Sequence, residues 1–300
     1  VMGIFRRIYN SFFHTYTTRD LSQWEHFPET KMPIYGVYHV MMDIGWEPVV
    51  AAQITTLKES GLLDATKKLY LSCVTNNEAS IEHLKDMIGS DKVEIIAQHQ
   101  DPTCYEYPAL EFIKQLSEKE NALVYYFHTK GITYQSLTSK DKRFLAFKRK
   151  IEAWRELLEY FIFTKWKVAV NTLSNGYDTY GCYRWPPKNY KMYSGSFWWA
   201  RTDFVRTLPN FDPNIISNDR FYSETWLFQK PNRQFSAFDS IVDFYFVYVP
   251  HSIYTEGKTL FIDRFKFVIT YNFRKIEKHI FGYNYKKVNQ KRFQKLKEKI

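Results

Sequence analysis

The stretch "ALVYYFHTKGIT" (residues 122–133) runs through six apolar or aromatic residues and stops abruptly at His128-Thr129-Lys130-Gly131. A short run without polar alternation, rich in aromatic and β-branched side chains, reads as a strand buried on both faces. Strands of that kind belong to parallel sheets covered by helices. The same pattern recurs three times upstream, in "MPIYGVYHVMM" (32–42), "KKLYLSCVT" (67–75) and "KVEIIAQHQ" (92–100). Between the strands lie helical periods: "WEPVVAAQITTLKESGLL" (46–63), "NEASIEHLKDMIG" (77–89) and "YEYPALEFIKQLSEKEN" (105–121). Gly89 marks the end of the second helix, and Pro108 is tolerated in the first turn of the third. Strand alternating with helix predicts an α/β fold with a mostly parallel, Rossmann-type sheet flanked by helices.

Downstream, residues 139–173 read as a long basic helical segment. "YDTYGCYRW" (177–185) resumes a strand. "YSGSFWWARTDFVRTLP" (193–209) is a strand or turn leading into a helix, and residues 236–258 read as strand and loop. There is no internal repeat or low-complexity linker. The expected organisation is an N-terminal amphipathic segment (1–30), one α/β domain (31–260) and a basic helical tail (261–300).

The chain has 300 residues, of which 45% are apolar, enough for a sizeable core. Aromatic residues make up 19%, a share that sugar-binding surfaces, base stacking or genomic bias could each produce. The three cysteines, Cys73, Cys104 and Cys182, are odd in number and lack metal spacing, which fits a reducing compartment. No apolar run approaches the roughly 20 residues that cross a bilayer, and no signal peptide precedes the first basic residues. A cytoplasmic chain is expected. Of the net charge of +10, residues 274–300 carry +8. Their last part puts Tyr285, Val288, Phe293, Leu296 and Ile300 on one helical side. Near the N-terminus, Phe5, Ile8, Tyr9, Phe12 and Tyr16 cluster beside Arg6 and Arg7. Basic amphipathic ends suggest peripheral contact with the anionic inner face of a membrane; helices packed on the body would give the same pattern. The central body lacks a matching basic excess, which argues against nucleic acid.

In open α/β sheets ligands bind outside the carboxyl ends of the strands. Those ends are His39 with Val40 and Met41, then Thr75-Asn76-Asn77, then Gln98-His99-Gln100-Asp101, then His128-Thr129-Lys130-Gly131. All four turn polar, as one lip of a cleft would. A polar motif at the end of the fourth strand resembles the nucleotide-sugar half of a GT-A glycosyltransferase. In most members of that fold an Asp-x-Asp pair there holds a metal; here no such pair exists and "HTK" fills the slot. More specifically, "YYFHTKG", "WRELLEYF" and "YSGSFWWAR", in this order, resemble a group of bacterial and viral polysaccharide glycosyltransferases. That group carries HTKG, Trp-Arg and SGNFWWA elements, and rhamnan-synthesis glycosyltransferases look like more distant relatives. The likeness spans residues 34–251. Ser196 stands where the pattern usually has asparagine.

The resemblance implies a hexosyl- or deoxyhexosyltransferase that moves a sugar from a nucleotide-sugar to a growing, in some cases lipid-linked, glycan in surface-polysaccharide (capsule or O-antigen) assembly. The nucleotide-sugar is substrate, and neither a cofactor nor a metal is expected. The leaving diphosphate needs preorganised positive charge. Lys130 would supply it, helped by Arg155 and more loosely by Arg143 and Lys148, while Gly131 lets backbone N–H groups approach. His128 could donate to a phosphate or a sugar hydroxyl. His39, Thr75, Gln98, His99 and His251 complete the expected donor site. Ser194, Gly195 and Ser196, with one of Trp198 and Trp199 facing the cleft, would contact sugar or acceptor. Glu224, preferred over Asp219, would be the general base of an inverting transfer. The alternative is a non-catalytic carbohydrate- or nucleic-acid-binding module.

Overall fold

The computed structural model describes residues 15–211, 219, 221–255 and 260–299. Seven strands form one sheet: β1 (Ile34–Met41), β2 (Lys68–Val74), β3 (Val93–His99), β4 (Leu123–His128), β5 (Thr179–Gly181), β6 (Trp198–Arg201) and β7 (Gln234–Ser236). Their spatial order is β7-β5-β6-β4-β1-β2-β3. Every neighbouring pair is parallel except those made by β6, which runs antiparallel to both β4 and β5. The expected α/β class and mostly parallel sheet are therefore observed, and the four sequence-predicted strands are β1 to β4.

Alternation along β4 explains how one apolar run fills two layers. Leu123, Tyr125 and Phe127 enter a core on one face, while Val124 and Tyr126 enter a second core on the other. The first face is covered by helices α1 (Trp46–Glu59), α4 (Lys142–Glu159) and α5 (Trp166–Ser174). The second is covered by α3 (Tyr107–Lys119) and the turn of helix Thr202–Thr207. Gly36 on β1 has to lack a side chain. It pairs with Tyr125, and a Cβ there would lie 2.5 Å from the phenol oxygen.

Local signals bound the helices. Helix α2 (Glu78–Ile88) starts with Asn77 Oδ1 accepting from the Ala79 amide at 3.0 Å, and it ends at Gly89 with φ +58°. Asp141 caps α4 by accepting from the amides of Arg143 and Phe144, both at 2.9 Å. A π-turn at Tyr160–Thr164 carries α4 into α5.

At the N-terminal end one expectation is revised, and the helical tail is resolved into two helices. The N-terminal amphipathic helix falls mostly outside the described residues, but Tyr16 does not belong to a helix. Tyr16–Thr18 pairs antiparallel with Phe238–Ser240 as a separate two-stranded ribbon. The tail folds as two helices, α6 (Phe261–Ile280) and α7 (Tyr285–Lys297). Helix α7 packs on α4: Phe293 stacks on Phe144 at 5.8 Å, and Arg292 pairs with Asp141 at 2.7 Å. Among the described residues, no helix is long and apolar enough to cross a membrane.

Candidate functional site

Strand order reverses between β1 and β4, because the chain has by then built outward through β2 and β3 on the far side of β1. A crevice at the carboxyl ends of these two strands is the expected ligand position in an open α/β sheet. His39 and His128 are register partners at this point. Beyond them opens a cleft of about 470 Å³, lined in part by Glu106, His128, Lys130, Trp154, the Ser194–Ser196 turn and Glu224.

The "HTK" triplet divides its labour by alternation. His128 and Lys130 face the cleft, whereas Thr129 is buried and ties the strand ends together. Its Oγ1 accepts from the Met41 amide at 3.0 Å, and its own amide donates to the His39 carbonyl at 3.2 Å. Lys130 Nζ sits 3.8 Å from the centre of the Trp154 indole ring, partly buried. Burial pushes its ammonium down to about 8, against the opposing pull of the Glu224 and Glu106 carboxylates.

Glu106 did not emerge from the sequence reading. It is the residue before α3, on the loop that leaves β3, and points into the cleft. Burial, followed by the neighbouring charge of Glu224, raises its pKa to about 7. One of its oxygens, Oε2, is buried with no hydrogen-bond partner. A carboxyl and an ammonium that each titrate near neutrality share one wall of the cleft. Such displaced pairs mark sites of proton or charge chemistry. The polar strand end in the sequence stops at Asp101, five residues short of Glu106.

The Ser194–Ser196 turn lines the cleft beside His128 and Lys130. Gly195 has φ +88° and Ser196 φ +55°. A Cβ on Gly195 would meet Leu158 Cδ1 at 2.5 Å and approach Lys130 Nζ to 3.5 Å, so glycine keeps the floor open beside the cation. Ser196 holds a left-handed conformation that side chains rarely adopt, and its buried Oγ has no hydrogen-bond partner.

Several expected roles change. His128 Nε2 lies 3.0 Å from the Gly195 carbonyl oxygen, which can only accept, so the ring donates there and holds the turn. Burial and the adjacent Lys130 charge keep His128 well below the usual histidine range, and thus neutral. That donor is already committed, not free for substrate. Arg155 does not reach the cleft. It is buried in an ion pair with Glu159 at 3.1 Å, because its helical neighbour Trp154 takes the cleft-facing position. Arg143 and Lys148 are not among the cleft's lining residues.

Trp198 and Trp199 are both core, on opposite faces of the sheet: Trp198 packs at 5.3 Å on Tyr126, and Trp199 donates to the Ile162 carbonyl at 3.0 Å. Trp154 and Trp185 are the indoles at the cleft. Gly131 lies away from it. With φ +82°, it starts a short 3-10 turn, and a Cβ would press on Ile151 at 2.8 Å.

His39 is buried and driven down to about 3, mainly by desolvation, and sits behind His128. Thr75, Gln98 and His99 share the carboxyl edge but engage local partners, the Asn77 amide, Glu78 and the Asp101 carbonyl respectively. His251 is exposed and bound to Glu156 at 2.9 Å. Asp219 is held by the Phe221 amide at 2.9 Å, outside the cleft, whereas Glu224 lines it.

Helix α7 contributes Lys286 and Gln290, so the tail is part of the site. Lys286 Nζ lies 4.0 Å from the Tyr245 ring centre and 3.6 Å from Asp243. Among the described residues, no group of three or more His, Cys, Asp or Glu is arranged to hold a metal ion. No known family model matches the chain, and no curated protein matches it.

Proposed function

We propose that the chain is a GT-A-like glycosyltransferase whose donor diphosphate lies against Lys130, with Lys286 as a second cation. The observation that carries this reading is the position of Lys130. It is a partly buried ammonium held at the carboxyl end of β4, at the switch point, beside a turn of small residues that also lines the cleft. Charge grows on the diphosphate as the glycosidic bond breaks, and a cation already fixed there lowers the barrier without reorganisation. The Ser196 hydroxyl, buried and unpartnered, is suited to a sugar hydroxyl.

Glu224 is the general base for the acceptor hydroxyl. Glu224, and after it Glu106, which also lines the cleft, favour the charged form of Lys130. The acceptor is a growing glycan, and the route is assembly of a surface polysaccharide.

A thermal-shift screen against nucleoside diphosphates and nucleotide-sugars tests the binding half of this reading. Stabilisation by at least one diphosphate is expected, and no response to any would remove the donor assignment. Slow hydrolysis of the responding nucleotide-sugar without acceptor separates an enzyme from a sugar-binding module. With Lys130 and Lys286 supplying the charge, this activity is expected to persist in EDTA. Loss that manganese restores would put the charge on a metal instead.

A further inference from the structure

The longest helix of the tail leaves its apolar side uncovered. Helix α6 turns Phe267, Val268 and Tyr271 onto the body. On its other side Phe261, Ile262, Phe265, Ile269, Phe273, Ile276 and Ile280 are all exposed, Phe261 by 80% and Ile280 by 71%. Apart from the adjacent pair Phe261 and Ile262, their spacing of three and four residues places them on one stripe about 120° wide at 3.6 residues per turn. Phe281, just past the helix, is also 73% exposed. Single exposed apolar residues need no explanation, but a continuous stripe of this length does.

Charge selects the occupant. Residues 260–299 hold twelve Lys/Arg against three Asp/Glu, a net +9 of the chain's +10. Helix α6 itself carries five Lys/Arg against two Asp/Glu. By helical position Lys266 borders one edge of the stripe, where Glu277 is neutralised by Arg274 and Asp263 is bound by Ser252, and Lys275 and His279 border the other. A second copy of this chain would bring an equal positive charge against it, which opposes pairing. Nucleic acid would match the charge but offers nothing to a row of phenylalanines and isoleucines. A bilayer with anionic headgroups matches both, apolar acyl chains for the stripe and phosphates for the flanks.

We propose that α6 lies in the interface of an anionic membrane, with its Phe/Ile stripe in the acyl region and its basic edges among the headgroups. The surface is distinct from the one the sequence suggested, since α7 spends its apolar side on α4. The inference does not rest on the chemistry of the cleft. It does bear on it, because α7 joins α6 through a four-residue link and supplies Lys286 and Gln290 to the cleft wall. Docking α6 would hold the cleft beside the bilayer.

Co-sedimentation of the full chain tests this, with vesicles of phosphatidylcholine alone and of phosphatidylcholine mixed with phosphatidylglycerol. Binding is expected only to the mixed vesicles and should weaken as salt is raised. The double variant Phe265→Ser/Phe273→Ser removes exposed side chains, so circular dichroism should be unchanged while partitioning falls at least about tenfold. Three outcomes would overturn the proposal. The variant could bind vesicles as well as the parent, or neutral vesicles could bind equally well. In vesicle-free ultracentrifugation, the substitutions could instead dissolve a dimer, which would make a second copy the occupant.

Discussion

Lys130 is kept in a place that opposes its charge. Its pKa falls to about 8 against an ordinary value of 10.5. Between those two pH values the unfolded chain binds the proton and the folded chain does not, so this residue's contribution to stability rises with pH. Fold stability therefore gains nothing from the ammonium, as expected if it is retained for chemistry. Lys130→Met keeps the aliphatic stem on Trp154 and removes the charge. The expected result is an unchanged or raised melting temperature with turnover lowered at least about a hundredfold; a variant with parental turnover would take Lys130 out of the mechanism. Activity should fall as pH rises through about 8, where the free enzyme loses the cation. Glu106 pulls that pKa upward, so Glu106→Gln should move the alkaline limb of kcat/KM to lower pH. Lys130→Arg should abolish the limb. A limb that stays in place in both variants would mean that another group titrates there.

Helix α4 shows why an element can be legible while the roles of its side chains are not. Its helical and basic character follow from the residues, although the expected single helix over 139–173 is broken by the π-turn at Tyr160–Thr164. A rotation of about 100° separates Trp154 from Arg155. Only packing decides which of the two meets the cleft. The indole does, and Arg155 turns under the sheet to pair with Glu159, whose carboxyl burial raises to about 7. Arg155→Met should cost about 3–5 kcal/mol in urea unfolding, because it strands a buried carboxylate. The loss should be smaller below pH 7, where Glu159 can take up a proton. Nucleotide affinity of the folded variant should not change. A selective loss of affinity with intact stability would return Arg155 to the donor site. The tryptophan pair on β6 teaches the same lesson. Adjacent strand residues do point opposite ways, as the pattern implied, but both sides of this sheet are covered, so neither indole is left for a ligand.

At the scale of the whole molecule, the site is closed by the end of the chain. Phe293 anchors α7 between Phe144 and Tyr134, and α7 carries Lys286 to the cleft. Phe293→Ala should destabilise by about 3 kcal/mol and raise KM for the nucleotide-sugar more than it lowers kcat, as steady-state kinetics on the folded variant would show. Unchanged KM would leave α7 a structural brace alone. What the sequence determined by itself is the layered α/β order, the four parallel strands and the polar lip that ends in His128-Thr129-Lys130. Those depend on period, chain direction and capping, which are local properties. The tertiary structure alone decided that Glu106, Trp154 and Lys286 join Lys130, that His128 is committed to Gly195, and that α6 rather than α7 exposes its apolar face. These residues are far apart in the chain. Their meeting depends on which side of each element is buried, and burial is settled only when all the layers pack at once.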